Sequence, residues 1–255
     1  MPDDGPMSKK VKKWSGLEKC LQAGRQLIKQ VNALKFSPPV HTVYNPLDYA
    51  WESHRTYMER FAGAECRVLF LGMNPGPWGM SQTGIPFGEV NAVRDWLGIE
   101  VPVGQPPQIH PKRPVEGFAC SRSEVSGRRL WGLFAERFGK PASFFPEHMV
   151  LNHCPLVFME EGGKNRTPDK LSANEAAPLL KASDQHLSAM VDILKPEGVI
   201  GVGAYAEERA RGVLKDRNIR FARILHPSPA SPAANRDWAG TATRQLLEAG
   251  VWGDS

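Results

Sequence analysis

The sequence predicts an α/β fold, a three-layer α/β/α sandwich around a short, mostly parallel four-stranded central sheet. Three observations carry that prediction. Four apolar runs, RVLFLGM (67–73), MVLNHCPLVF (149–158), GVIGVG (198–203) and RFARILHP (220–227), are continuous rather than alternating, as strands covered on both faces are. Segments with helical spacing lie between them. Strands that alternate with helices pair in parallel, because only a long crossover returns the chain in the same direction.

Each element follows in order. Residues 1–15, with KKVKK among them, read as a basic flexible tail, and residues 16–255 as a single domain, since 255 residues can fill one core and no linker divides them. Leu17, Leu21, Leu27, Ile28, Val31 and Leu34 recur at helical spacing, so a helix starts after Ser15 and FSPPV ends it. YNPLDYAWESHRTYMERF turns at Asn45-Pro46 and continues as one helix rich in aromatics. RRLWGLFAERF, LKASDQHLSAMVDIL and AYAEERARGVL supply the later crossovers, and ATRQLLEAG closes the chain as a helix.

A net charge of +5 and a pI near 9.1 suit a polyanionic partner without requiring one. The opening residues hold no apolar signal core, and no apolar stretch approaches the about 20 residues of a membrane span. With no signal peptide and no membrane segment, the expected compartment is the cytoplasm of a bacterium or the nucleus of a eukaryote. Cys20, Cys66, Cys120 and Cys154 are scattered without C-x-x-C or zinc spacing, so reduced thiols are expected and no metal site. GVGAYA lacks the third glycine and the acidic partner of a dinucleotide fingerprint, and no cofactor is expected.

Ligands of parallel sheets bind beyond the carboxyl ends of the strands. Leaving the four strands at that end are Asn74-Pro75-Gly76-Pro77, Asn152, Gly203 and His226-Pro227-Ser228-Pro229. Asn74, Asn152 and His226 offer no carboxylate base, metal cage or paired nucleophile. They can position and donate. Such a set suits a reaction whose leaving group departs largely unassisted, with dipoles aimed where negative charge develops; cleavage of the bond between uracil and its sugar is one. Glu89 and Asp95 are acidic residues that folding could still bring close. Phe87 sits among Gly and Pro outside any periodic run, which favours contact with a ligand, whereas Trp78 and Trp238 serve packing or DNA equally well. The other six histidines read as structural or surface residues.

GMNPGPWGMSQTGIPFGEV, HPKRP, SEVSG, LNHCPL, GVGAYAEERAR and HPSPASPAANRDW, in that order from about residue 45 to near the C-terminus, resemble the single-strand-selective monofunctional uracil-DNA glycosylases of the uracil-DNA glycosylase superfamily. The resemblance implies the same fold and roles for particular residues. Asn74 would hold the attacking water and His226 would donate to the uracil oxygen. Phe87 would stack on the flipped ring, Asn152 would read its edge, and backbone groups of Met73 and Gly76 would line the pocket, with space near Gly76 for 5-modified bases such as 5-hydroxymethyluracil. Pro227, Ser228, Pro229, Ala230 and Ser231 would enter DNA as a wedge stiffened by its prolines. Some family members carry a basic residue where this chain has Ala230.

The expected function is excision of uracil and 5-modified uracils from single- and double-stranded DNA in base excision repair, by a monomer that leaves an abasic site, with other deaminated bases as further substrates. HPKRP, Arg122, Arg128, Arg129 and EGGKNRTP would supply phosphate contacts. Lys164 lies on a polar, Gly-flanked loop that reads as exposed, so strand cutting through a lysine adduct is not expected. The alternative class is a DNA-binding protein that holds a damaged base without cleaving its bond, against which the presence of both Asn74 and His226 speaks. A phosphate-handling hydrolase would need acidic or metal ligands at the rim.

Overall fold

The computed structural model describes residues 14–253. In chain order its elements are α1 (Gly16–Asn32), β1 (Thr42–Tyr44), α2 (Pro46–Tyr49), α3 (Trp51–Phe61), β2 (Val68–Gly72), α4 (Met80–Thr83), α5 (Val125–Phe138), α6 (Pro141–Phe144), β3 (His148–Asn152), β4 (Val157–Met159), β5 (Asn165–Arg166), α7 (Ala173–Leu194), β6 (Gly198–Val202), α8 (Ala204–Val213), β7 (Arg220–Ile224) and α9 (Pro232–Glu248). Most of the basic tail lies outside the described residues. Trp14 belongs to them, and its ring packs over Gly16 at the start of α1.

The central sheet has four strands in the order β3-β2-β6-β7, all parallel. Helices cover it: α8 packs on β2, β6 and β7, and α9 packs on β7 and against α5. Every residue of β2 and β6 is buried, the physical counterpart of their unbroken apolar runs. Phe70 of β2 rests on Phe134 and Phe144, whose rings stack with centroids 4.4 Å apart. Burying each of these side chains contributes about 1.5–3 kcal/mol. Among the described residues no helix is long and apolar enough to cross a membrane.

The structure differs from expectation in three places. The run 149–158 is two strands: β3 ends at Asn152, the chain turns through residues 153–156, and β4 joins an antiparallel sheet of order β1-β4-β5 that the sequence reading lacks. Strands of two or three residues are too short to show a period, and β4 is wholly buried, so nothing in its pattern separates it from β3. The aromatic helix after Pro46 breaks at Ala50, whose φ of −106° and ψ of 29° separate α2 from α3. The last helix begins at Pro232, well before ATRQLLEAG, and is kinked at Asp237, where the Asp237 side chain accepts from Gly240 N at 2.9 Å and starts the second segment.

Register fixes what meets at the carboxyl edge. Gly72 stands directly beside Asn152, and Val202 beside Ile224. The exits of all four strands therefore share one rim.

Candidate active site

One cavity of about 440 Å3 opens at this rim, lined by Met73, Asn74, Gly76, Phe87, Asn152, His226, Ser228 and Pro229 among others. The pairing of β2 with β3 continues past the strand ends, as His153 N donates to Gly72 O at 2.9 Å and Cys154 N to Met73 O at 2.8 Å. That continuation holds Met73 and Asn74 beside Asn152. The Asn74 amide donates through Nδ2 to Leu156 O at 3.1 Å and to Pro75 O at 3.4 Å. A flipped amide would set oxygen against two carbonyls, so Oδ1 is the atom left to accept from a ligand.

Asn152 is held differently. Its Nδ2 meets only a weak acceptor, Met80 Sδ, at 3.3 Å, and its Oδ1 is buried with no hydrogen-bond partner. A buried unpaired carbonyl costs about 1–3 kcal/mol, which a donor from a ligand would recover. Gly72 makes room for this arrangement: a Cβ on it would overlap Asn152 Oδ1 and come within 2.5 Å of the Phe87 ring.

Phe87 itself has φ of +53°, a left-handed conformation that is costly for a bulky residue. Its surroundings fix it there. Thr83 Oγ1 donates to Gly88 O at 2.8 Å, Glu89 N donates to Phe87 O at 2.7 Å, and Gly127 of α5 lies so close that a Cβ would strike Phe87 O. The ring is buried and stands 6.3 Å from that of His226, centroid to centroid. His226 sits over Gly203, where a Cβ would press on the imidazole at 3.3–3.5 Å. Burial alone lowers the His226 pKa from its ordinary value, so the ring is neutral at neutral pH.

The loop after β7 is held from its flanks. Leu225 N donates to Gln245 Oε1 at 2.7 Å and Trp238 Nε1 donates to Leu225 O at 2.7 Å, so Trp238 serves packing. Arg129 of α5 donates to Pro227 O at 3.1 Å and to Asn235 Oδ1 at 3.0 Å, and Asn235 Nδ2 donates to Pro229 O at 2.8 Å. Arg129 thus holds the loop through the carbonyls its prolines leave unpaired, and is no free phosphate ligand. Ser228 and Pro229 reach the cavity, whereas Pro227 and Ala230 do not line it. Ser231 caps α9, its hydroxyl accepting from Ala234 N at 3.3 Å, so its side chain is engaged before any DNA arrives. Arg166 is likewise committed, to Glu160 at 2.7 Å. Lys164 is exposed and lies outside the cavity lining.

Four further residues line the cavity: Glu124 and Ser126, to which the sequence reading gives no role, and Asn165 and Thr167 of EGGKNRTP, a segment expected at phosphates and found at this cavity. Glu124 matters most, because the strand exits supply no acid and the acids that folding could bring close were expected to be Glu89 and Asp95. Its carboxyl fills the space that side chains at Gly76 and Gly79 would occupy, and Oε2 is buried without a hydrogen-bond partner. Burial pushes its pKa up to about 7, opposed by the backbone of Gly79 and raised further by Glu89. The carboxyl is therefore about half protonated at neutral pH, where an ordinary one is ionised. Glu89 and Asp95 do not line the cavity: Glu89, near enough to act on Glu124, accepts from Ala92 N at 2.9 Å, and Asp95 pairs with Arg94 at 2.8 Å. The clue to Glu124 was the pair of glycines spaced around Trp78, which makes room for a side chain from elsewhere. Gln82, fully buried, was also missed; it donates to Pro77 O and Pro114 O and accepts from Glu116 N and Gly117 N, stapling the floor.

Among the described residues no group of three or more His, Cys, Asp or Glu side chains could hold a metal ion. The four cysteines are buried and unpaired.

Known proteins are similar to this chain. The model of the uracil DNA glycosylase superfamily matches residues 60–248. A single-strand selective monofunctional uracil DNA glycosylase of Mus musculus is 48% identical over 233 residues, covering 91% of this chain and 84% of that protein. Its counterpart in Bos taurus is also 48% identical, over 91% of this chain and 86% of its own length. A crystal structure of wild-type Pedobacter heparinus SMUG2 superposes with a TM-score of 0.67 over 92% of this chain and 97% of the other; at 14% identity it speaks for the fold. The chain belongs to the uracil-DNA glycosylase superfamily, in the branch of the single-strand-selective monofunctional enzymes.

Proposed function

We propose that this enzyme everts uracil and uracils oxidised at the 5-methyl group from single- and double-stranded DNA, hydrolyses the N-glycosidic bond and leaves an abasic site, acting as a monomer. One observation carries the reading: Asn152 presents a buried, unpaired carbonyl oxygen to a cavity it shares with Phe87, Asn74 and His226. Uracil's ring N–H is the donor that oxygen lacks, and the Asn152 amide N–H then faces the adjacent uracil carbonyl. Cytosine offers an acceptor and an amino group in those places, so donor would face donor. Leaving buried polar groups unpaired can reject an analogue by about 10⁴ or more.

In this reading Phe87 stacks on the everted ring while Asn74 Oδ1 accepts from the attacking water. The water adds to the sugar carbon as the bond to the base breaks heterolytically, the electron pair leaves on uracil as an anion, and the proton the added water loses passes to solvent or to that departing anion. Neutral His226 donates a hydrogen bond to the uracil oxygen where that charge collects. A donor so placed contributes about 3 kcal/mol or more to the rate. Burial raises the Glu124 pKa to about 7, so it opposes that charge less than an ordinary carboxylate, ionised at neutral pH, would.

The family resemblance puts the base's 5-position near Gly76. A 5-hydroxymethyl group brings a hydroxyl into the neighbourhood of the unpaired Glu124 oxygen, whereas the methyl of thymine brings nothing polar. Eversion costs a few kcal/mol in a duplex and less in a single strand, which supports activity on both with the single strand easier. Excision from a panel of uracil, 5-hydroxymethyluracil, thymine and cytosine, each paired and unpaired and followed by alkali, tests this. Alkali-labile sites should appear with the first two bases. Equal cleavage at thymine or cytosine would refute the edge and 5-position roles, and binding without alkali lability would favour a non-catalytic reader of everted bases.

A further inference from the structure

Beside the base cavity lies a second cleft of about 550 Å3, lined by Trp78, Lys112, Arg113, Glu116 and Arg122 with neighbouring prolines and Ser121. Trp78 is common to both. Two guanidinium groups rest against its ring, Arg122 with Cζ 4.5 Å and Arg113 with Cζ 5.3 Å from the centroid. Stacking on an aromatic face holds a guanidinium in place without using its N–H donors. Arg113 spends one of them on Lys112 O at 3.0 Å, and its Nε is buried with no partner.

Among the described residues Lys112, Arg113 and Arg122 form no ion pair, although arginines elsewhere on the surface pair repeatedly. Among the described residues Glu116 is the one carboxylate in the cleft, so its lining is net cationic. Holding like charges together costs free energy that a bound anion relieves. The floor enforces the closeness, since Gln82 bonds both Pro77 O, next to Trp78, and the 114–117 segment.

We propose that this cleft is a phosphate subsite for the DNA strand on one side of the everted nucleotide, with Arg113 and Arg122 as its ligands and Trp78 as the support that aims them. The inference rests on reading the neighbouring cavity as the everted-base pocket. Continuity decides the ligand class: an anion in this cleft lies one tryptophan away from the base, as the flanking phosphodiesters of that nucleotide must. Guanidiniums suit such oxygens because their paired N–H groups bind two at once.

The test uses the full chain and an undamaged single-stranded oligonucleotide, with binding read by fluorescence anisotropy between about 50 and 200 mM salt. The slope of log K against log salt falls by about 0.7 for each lost single-strand phosphate contact, so Arg113→Ala/Arg122→Ala should flatten it by about 1.4. Arg113→Lys/Arg122→Lys, which keeps the charge, should retain the slope while losing affinity. Arg55→Ala/Arg220→Ala removes equal charge from exposed positions outside the cleft and should leave the slope near that of the parent. An unchanged slope in the cleft variant, or the same flattening in the charge control, would overturn the proposal. Excision of uracil by the parent is scored separately: a flattened slope with no excision would sink the base-pocket reading while leaving the cleft as a nucleic-acid site.

Discussion

Residues 73–88 and residues 226–231 meet at one cavity, yet Ser81, Gln82, Thr83 and Ile85 of the first are fully buried, while Pro229 and Ala230 of the second are exposed. The floor is fixed by groups that have nowhere else to go: a satisfied Gln82, a Phe87 locked at positive φ, and a carboxyl filling the gap at Gly76 and Gly79. The loop is fixed by hydrogen bonds at a partly solvated surface, chiefly from Arg129 and Asn235. Buried interactions resist exchange with water, and exposed ones trade places with a ligand at little cost. Under the proposed function, the floor would suit chemistry that tolerates no misplacement, and the loop a partner whose shape varies between paired and unpaired DNA.

Substitutions in the two regions should separate accordingly. The largest effects belong to the reacting groups: His226→Ala should lower single-turnover excision by about 10²–10³, and Asn74→Ala by about 10², with DNA affinity largely retained in both. Near-normal turnover in either would break the assignment. Next comes Gly72→Ala, whose new methyl group overlaps Phe87 and Asn152; overpacking of about 1–3 kcal/mol should lower the melting temperature and excision together. An active, equally stable variant would show that the floor yields more than its packing suggests.

A pH series sharpens the contrast. The Glu124 carboxyl titrates near 7 in the folded chain against an ordinary 4.5, so the stability it contributes is present below about 4.5 and is lost as pH rises through about 7. Glu124→Gln keeps the shape and cannot ionise. Its melting temperature relative to the parent should rise by roughly 5 °C between pH 4.5 and pH 8. Parallel melting curves would mean the carboxyl is better solvated than its position implies. The smallest effect is expected in the loop: Arg129→Ala should reduce excision from duplex several-fold while sparing single strands, and equal losses on both would show that the clamp supports the floor as well.

How much of this the sequence discloses depends on what kind of signal each part emits. The four strands of the main sheet are legible because burial on both faces leaves unbroken apolar runs, and Asn74, Asn152 and His226 are legible because strand exits in a parallel sheet share an edge. β1, β4 and β5 are hidden, being too short for any period to show. Glu124 is hidden because its role depends on the distance between α5 and a turn some fifty positions earlier, which no local pattern records. Arg129 shows the converse error: a positive charge beside a motif suggested phosphate, and only coordinates reveal that proline carbonyls had already claimed it.

The most direct measurement is single-turnover excision of uracil from a single-stranded oligonucleotide by Asn152→Asp, a change that preserves volume while replacing the amide N–H with an acceptor. If the unpaired Oδ1 and its neighbouring donor recognise the uracil edge, the rate should fall by about 10² or more with the fold intact. Undiminished excision would show that the base is held by other groups, and the proposed orientation of uracil in the cavity would be wrong.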